Sequence, residues 1–304
     1  MMYNPSLFNV KVKSMSDKVI RLGEAPFFSF QGEGHYTGRP TVWIRLHGCN
    51  LECPGFGRAN PARPDLYTEQ DPLGDIDIKT ITSVNDLPIP EYGCDSSYSW
   101  SKKFRHLAYQ RTVSQLVDEI LALAPGGFFG DNIHFCITGG EPMMNQNAVI
   151  DIFEELMARG DLPKFVTIET NGTRPLKQDM VDLISRVKLE GTEWFWSISP
   201  KLLHVSGEQN AKAIRPEVVA QYFDVSETGQ LKFVCNGTPE CWHELEWAAD
   251  QFERVYPIWV MPVGARLEHQ ESSSIAGISN EALRRRYNVA ARVHVYVYGN
   301  SIGT

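Results

Sequence analysis

Six short runs rich in β-branched and aromatic residues recur along the chain: TVWIRL (41–46), IHFCIT (133–138), FVTIE (165–169), WFWSIS (194–199), LKFVC (231–235) and YPIWVM (256–261). Amphipathic helical patterns lie between them. Val113, Leu116, Val117, Ile120 and Leu121 mark one apolar helix face, and Val149, Ile152, Phe153 and Leu156 mark another. Further helices are expected near 178–187, 239–252 and 279–289. Strands alternating with helices demand right-handed crossovers and a mostly parallel sheet, because a parallel neighbour is reached only by crossing the sheet face. The fold class is therefore α/β, and six strands suit a partial (β/α)6-type barrel. With 304 residues, 42% of them hydrophobic, the chain has enough apolar surface for one such domain spanning 1–304. The closing run RVHVYVYGNSIGT reads as a last strand and short tail within a C-terminal extension, 265–304. In barrels of this kind, reactive groups gather where loops leave the carboxyl ends of the strands.

The loop after the first strand carries Cys49 and Cys53, in LHGCNLECPGFG. This is the opening of a C-x3-C-x2-C pattern, in which three thiolates hold a 4Fe-4S cluster and leave one iron open for the amino and carboxylate groups of S-adenosylmethionine (SAM). The third position falls on Phe56, so the short pattern is broken. Cys94, in GCDSSYSW, is a candidate replacement, although spacing alone does not select it. The intervening stretch 54–93 has prolines at 54, 61, 64, 72, 88 and 90, with turns favoured at Pro54-Gly55 and Asp71-Pro72. It reads as an inserted loop. Closure entropy grows slowly with length, so such a loop can return a distant thiol to the first two.

The other chemical signals also follow strands. Thr138-Gly139-Gly140-Glu141-Pro142 follows the second, where glycines let backbone approach a ligand such as the methionyl end of SAM. Glu169-Thr170-Asn171-Gly172-Thr173 ends the third and offers an acid and an amide for ribose hydroxyls. Ser199-Pro200-Lys201 ends the fourth, and Met261-Pro262-Val263-Gly264 closes the sixth with a backbone edge suited to adenine. The bland alternative for each is an ordinary turn.

Composition narrows the field. There is no run of about 18 apolar residues and no signal-peptide core, so neither a membrane partner nor secretion is expected and the default location is the cytoplasm. Six cysteines in such a chain do not imply disulfides. A net charge of −8 argues against a nucleic-acid partner, and Arg284-Arg285-Arg286 reads as a solvated helix face.

Together these blocks resemble the 7-carboxy-7-deazaguanine synthases of the radical SAM superfamily. That family runs from SxQGEG through GxPxxFxRLxGCNLxC to Cys-Asp-Thr and TGGEP. Here the order is SFQGEGHYTGRPTVWIRLHGCNLEC, GCDSS, TGGEP, ETNGT and SPK, spanning about residues 24 to 264. The resemblance implies a radical SAM barrel and the contraction of 6-carboxy-5,6,7,8-tetrahydropterin to 7-carboxy-7-deazaguanine with loss of ammonia. That step belongs to 7-deazaguanine biosynthesis of the queuosine type. A 5′-deoxyadenosyl radical would remove a hydrogen from carbon 6 and later return it, regenerating SAM. The implied cofactors are a 4Fe-4S cluster, SAM and Mg²⁺.

Carried over residue by residue, the pattern implies Cys49, Cys53 and Cys94 at the cluster and Ser96 at Mg²⁺, in place of the family's threonine. It implies Phe30, Gln31, Gly32, Arg45 and Thr138 at the pterin, with Arg45 engaging the carboxylate. Gly140, Ser199, Pro200 and Lys201 match SAM positions, with Met261 to Gly264 a further stretch whose residues differ from the family's; Glu141 and Glu169 complete the expected cofactor set. In the family the chain end reaches the substrate, which points to Thr304. A structural salt bridge is the competing role for Arg45, and a serine cap for Ser96. Of the remaining cysteines, Cys136 reads as a buried hydrophobe, and Cys235 with Cys241 lacks the further ligands of a metal site. The implied partners are a flavodoxin or ferredoxin reductant and a second copy in a homodimer. Two other readings stay open: an activase that makes a glycyl radical on a partner protein, and a non-enzymatic zinc module using the three cysteines with His47.

Overall fold

The structure, a computed structural model, describes residues 18–67, 73, 76–299 and 301–303. The Asp71-Pro72 turn and Thr304 lie outside them. The described residues contain ten strands: β1 (Val19–Leu22), β2 (Phe27–Phe30), β3 (Pro40–Leu46), β4 (Tyr109–Thr112), β5 (His134–Gly139), β6 (Phe165–Thr170), β7 (Glu193–Ile198), β8 (Gly229–Cys235), β9 (Ile258–Pro262) and β10 (Asn288–Val289). They form one open sheet in the order β10-β9-β8-β7-β6-β5-β3-β1-β4, with β2 pairing separately on β3. From β3 to β10 along that order every pairing is parallel; β1, β2 and β4 are antiparallel additions at one edge. The expected partial barrel of six parallel strands is present, each within two residues of its sequence reading.

Strand alternation sorts the side chains onto two faces. Val42, Ile44 and Leu46 of β3, Phe135 and Ile137 of β5, Val166 and Ile168 of β6, Trp194 and Trp196 of β7, and Leu231 and Phe233 of β8 face the helices and form one buried core. Residues of the opposite parity, including Arg45, Thr138, Glu169, Ser197 and Lys232, line a cavity on the concave face. One apolar face stabilises the sheet, and the other face is free to be polar.

Helix Val113–Leu123 begins with Thr112, whose side chain accepts from Gln115 N while Gln115 returns a bond to the Thr112 backbone. Helices Gln146–Arg159, Gln178–Leu189 and Pro239–Gln251 occupy their expected places. Helix Ser272–Arg284 stops short of the expected 279–289, because Asn288–Val289 pairs with β9 instead. Of its arginines, Arg284 is exposed, but Arg285 is half-buried: it donates to Glu281 and Glu246 and lies over the Trp242 ring. Three helices between β7 and β8, Leu203–Ser206, Asn210–Ala213 and Pro216–Val225, were not expected.

The expected last strand is a helix, Val293–Tyr298. The β9 edge is already covered by β10, and Val293 N donates to Gly32 O at 2.9 Å. Docking on that loop overrides the strand propensity of VHVYVY.

Residues 54–93 contain three 3₁₀ turns among their described positions, Pro64–Leu66, Ile78–Thr80 and Val84–Asp86. Gly93 N donates to Phe56 O at 2.8 Å, so the segment leaves and returns through one neck. Leu73 and Val84 form a small apolar cluster with Tyr98 and Phe104, against which Ile302 also packs.

Candidate active site

The concave face holds a cavity of about 630 Å³ at the carboxyl ends of the parallel strands. Cys49, Cys53 and Cys94 all line it. Cys49 follows β3 in a loop pinned by Gly48 N, which donates to Ser99 O at 2.8 Å. Glu208 fixes the next turn, accepting from Glu52 N at 2.6 Å and Cys53 N at 2.8 Å. The neck between Phe56 and Gly93 then delivers Cys94 from the far side of the long loop.

Burial pushes the Cys49 thiol up to about 12 and the Cys53 thiol well above its ordinary value; burial, then Asp95, raises Cys94. Thiols so raised are poor free nucleophiles, and a bound cation would be needed to ionise them. Among the described residues, no group of three or more His, Cys, Asp or Glu side chains is set to hold a single metal ion. An iron–sulfur cluster gives each thiolate its own iron, so its ligands stand around a body rather than a point. His47 does not line the cavity, and burial, then Arg21 and Arg105, lowers its basicity. Three thiols around one cavity fit a 4Fe-4S cluster.

The Gly139-Gly140 turn lies against this loop. Gly140 N donates to Leu46 O at 3.3 Å and Glu141 N to Gly48 O at 2.8 Å. A Cβ on Gly140 would lie 2.5 Å from Gly48 O and 2.7 Å from the Cys49 Cβ. The close approach is to the cysteine loop, although both glycines also line the cavity. Glu141 does not line it. Its carboxylate accepts from Met143 N at 2.9 Å, Thr170 Oγ1 at 2.7 Å and Asn171 N at 2.7 Å, tying the turn to the end of β6. These bonds occupy the oxygens expected for the cofactor.

Ser199 and Lys201 line the cavity, with Lys201 Nζ donating to Ser199 Oγ at 2.9 Å; Pro200 is buried beside them and does not. Met261, Pro262, Val263 and Gly264 all line it. The backbone edge expected for adenine is partly used, however: Val263 N donates to Cys235 O at 2.9 Å, and Gly264 O accepts from Arg292 Nη1 at 3.0 Å.

At the floor lies the QGEG segment. The 3₁₀ turn Gly34–Tyr36 plugs the amino-terminal mouth of the barrel, with His35 stacked on Phe195 and Tyr36 edge-on to His134. Gly34 has φ +72° and abuts Gln230, and a Cβ on Gly32 would strike the His294 ring at 2.1 Å. Phe30, Gln31, Gly32, Arg45 and Thr138 line the cavity as expected. Arg45 forms the structural salt bridge considered for it, Nε donating to Glu24 Oε1 at 2.7 Å, while Nη1 donates to Ser96 Oγ at 3.3 Å.

Ser96 in turn donates to Asp95 Oδ1 at 3.2 Å. These hard oxygens suit Mg²⁺ provided that substrate and water complete the shell. Glu169 also lines the cavity; Gln31 Nε2 donates to it at 3.4 Å, and Lys232 Nζ lies 3.9 Å away.

Several lining residues escaped the sequence reading. Glu33 receives bonds from Lys232 and from Arg292 Nε, the latter at 2.9 Å, and Arg292 also donates to Asp95 Oδ2 at 3.0 Å. Burial opposes ionisation of Glu33, yet Lys232, then Arg292 and His294, pull its carboxyl well below the ordinary range. The only signal for Lys232 was a lysine at an inward position of LKFVC; Arg292 and His294 gave none, since the run around them reads as strand. Cys235 and Cys241 face the helix side with sulfurs 3.3 Å apart and no further ligand among the described residues. Cys136 is fully buried beneath Gln31.

No protein-family model matches the chain. It is 25% identical over 282 residues to the 7-carboxy-7-deazaguanine synthase of Pyrobaculum aerophilum, covering 91% of this chain and 94% of that protein. The synthase of Rhodopirellula baltica is 24% identical over 288 residues, covering 91% and 86%. That of Methanospirillum hungatei is 30% identical over 149 residues, covering 49% and 41%. QueE from Escherichia coli shares the fold, with a TM-score of 0.51 at 18% identity across 91% of this chain and 95% of that one. The resemblance carried by the motifs thus extends along nearly the whole chain.

Proposed function

We propose that this chain, like the synthases it is similar to, is a radical SAM enzyme that contracts 6-carboxy-5,6,7,8-tetrahydropterin to 7-carboxy-7-deazaguanine and releases ammonia. One observation carries the reading: three thiols and a buried set of carboxylates and cations meet in one cavity of about 630 Å³, a size that suits small-molecule ligands such as a nucleoside-sized cofactor and a bicyclic substrate. The full-length similarity to named synthases supports it.

Cys49, Cys53 and Cys94 would hold the 4Fe-4S cluster, which when reduced supplies the electron that opens SAM to a 5′-deoxyadenosyl radical. Ser199, Lys201 and the Gly140 turn would hold SAM's polar end beside it. Arg45 presents its Nη1 edge toward the cavity, where it can take the substrate carboxylate, and Ser96 with Asp95 offers oxygens for Mg²⁺ against the same carboxylate. Gln31 presents amide groups to the pterin ring edge. Phe27, Phe30, Trp43 and Phe56 add apolar wall, which keeps water away from a reactive intermediate.

The reaction needs an external one-electron donor, for which a flavodoxin or ferredoxin is suited. Placement in the cytoplasm and assembly as a homodimer belong to the same proposal. Among the described residues, no helix is long and apolar enough to cross a membrane. The test is anaerobic reconstitution followed by incubation with SAM, Mg²⁺, reductant and carboxytetrahydropterin. Mass spectrometry then shows a product lighter by one ammonia, with SAM not consumed in proportion. A loaded, SAM-binding protein that leaves the pterin unchanged rejects the proposal.

A further inference from the structure

Lys232 sits in the middle of β8, 4% exposed, between Leu231 and Phe233, which are fully buried in the core. Strand alternation aims it the other way, into the cavity floor. There its ammonium pairs with Glu33 and lies 3.9 Å from Glu169 Oε1. An ammonium buried in mid-strand gives no packing that an apolar residue would not supply better, so a reason beyond stability is called for.

The pairing pattern supplies one. Glu33 has a second cation, Arg292 at 2.9 Å, besides Lys232. For Glu169, the paired cation is Lys232. Two carboxylates from distant segments, residue 33 and the end of β6, are thereby brought side by side facing the cavity. A pair of acceptors so arranged complements a ligand edge with N–H donors in a row, as on an aminopyrimidinone ring, whose exocyclic amine and ring N–H are adjacent.

We propose that Lys232 is a positioning residue for substrate, its ammonium holding Glu33 and Glu169 at the spacing that reads the N–H edge of the pterin ring. This rests on the function proposed above. It places the ring's recognition edge at the barrel floor, beside Glu33 and Glu169.

The test compares reconstituted wild-type enzyme with Lys232→Met and Lys232→Gln, two neutral side chains of similar length, each checked for folding by thermal melting and for iron content. The readouts are kcat and KM for carboxytetrahydropterin as a function of pH, and equilibrium binding of 6-carboxypterin followed by its fluorescence. Both variants are expected to raise KM and the pterin Kd by about tenfold or more, with a smaller change in kcat and unchanged SAM binding.

The acid limb of kcat/KM is expected to move to higher pH. Glu33 loses its strongest positive neighbour and must be ionised to accept the ligand's N–H groups; Arg292, His294, Arg45, Asp95 and Cys136 also face this pocket and are unchanged. If either variant is folded and loaded, and binds pterin as tightly as wild type with an unmoved acid limb, the assignment is overturned. Wild-type enzyme that neither binds nor converts pterin defeats the proposed function itself, and this inference with it. Normal wild type with indifferent variants defeats the role of Lys232 alone.

Discussion

A single hydrogen on Gly140 decides whether the Gly139-Gly140 turn can close on the cysteine loop. A methyl group there meets a carbonyl oxygen and the Cys49 Cβ inside contact distance. Gly140→Ala is expected to destabilise the fold by about 1–3 kcal/mol and to lower iron loading, read by thermal melting and iron analysis of the reconstituted protein. Gly277, exposed on helix Ser272–Arg284 with nothing within 4 Å of an added Cβ, is the control. There Ala is expected to be neutral or to stabilise by roughly 0.5–1 kcal/mol. At this scale the sequence is legible where chemistry dictates residue type: the cysteine pair, the glycines, Arg45. It misleads where neighbours decide, as for Glu141, whose carboxylate is taken up by Met143, Thr170 and Asn171 outside the cavity lining.

Among elements, residues 54–93 are the most informative. Their ends meet at the bond from Gly93 N to Phe56 O, so Cys94 is set by the neck and not by the excursion beyond it. Replacing residues 58–91 with a short Gly-Ser linker is therefore expected to preserve cluster binding, measured as iron and sulfide per chain. Turnover is expected to fall, because Arg58, Pro61, Pro90 and Glu91 are lost from the cavity wall. Loss of iron in a folded variant would contradict this account of the neck. The six central strands were readable because each alternates an apolar core face with a cavity face. The C-terminal segment was not, since VHVYVY carries strand propensity but finds no free sheet edge and docks as a helix on Gly32 instead. The short helices between β7 and β8 lack the long apolar periodicity that marks the others.

Across the whole molecule, Glu33 ties together parts of the chain that are far apart in sequence: the segment after β2, strand β8 through Lys232, and the C-terminal segment through Arg292. Glu33→Gln leaves two buried cations short of a partner, and a loss of about 3–5 kcal/mol is expected, measured by denaturant unfolding. The pH dependence has a definite sign. The folded-state pKa of Glu33 is depressed from its ordinary value of 4.5, so its stabilisation is present above that pH and is lost as pH falls toward the folded-state value. The Glu33→Gln protein should therefore show a shallower decline in stability at acid pH than wild type.

The central claim is that Cys49, Cys53 and Cys94, the last carried back by a long loop, hold one iron–sulfur cluster in this cavity. Its most direct test is iron and acid-labile sulfide analysis of anaerobically reconstituted wild type, Cys94→Ala and Cys235→Ala. The account predicts about four irons and four sulfides per chain in wild type, the same in Cys235→Ala, and loss of the cluster in Cys94→Ala. A full cluster in Cys94→Ala, or a colourless wild type holding a single zinc, would contradict it.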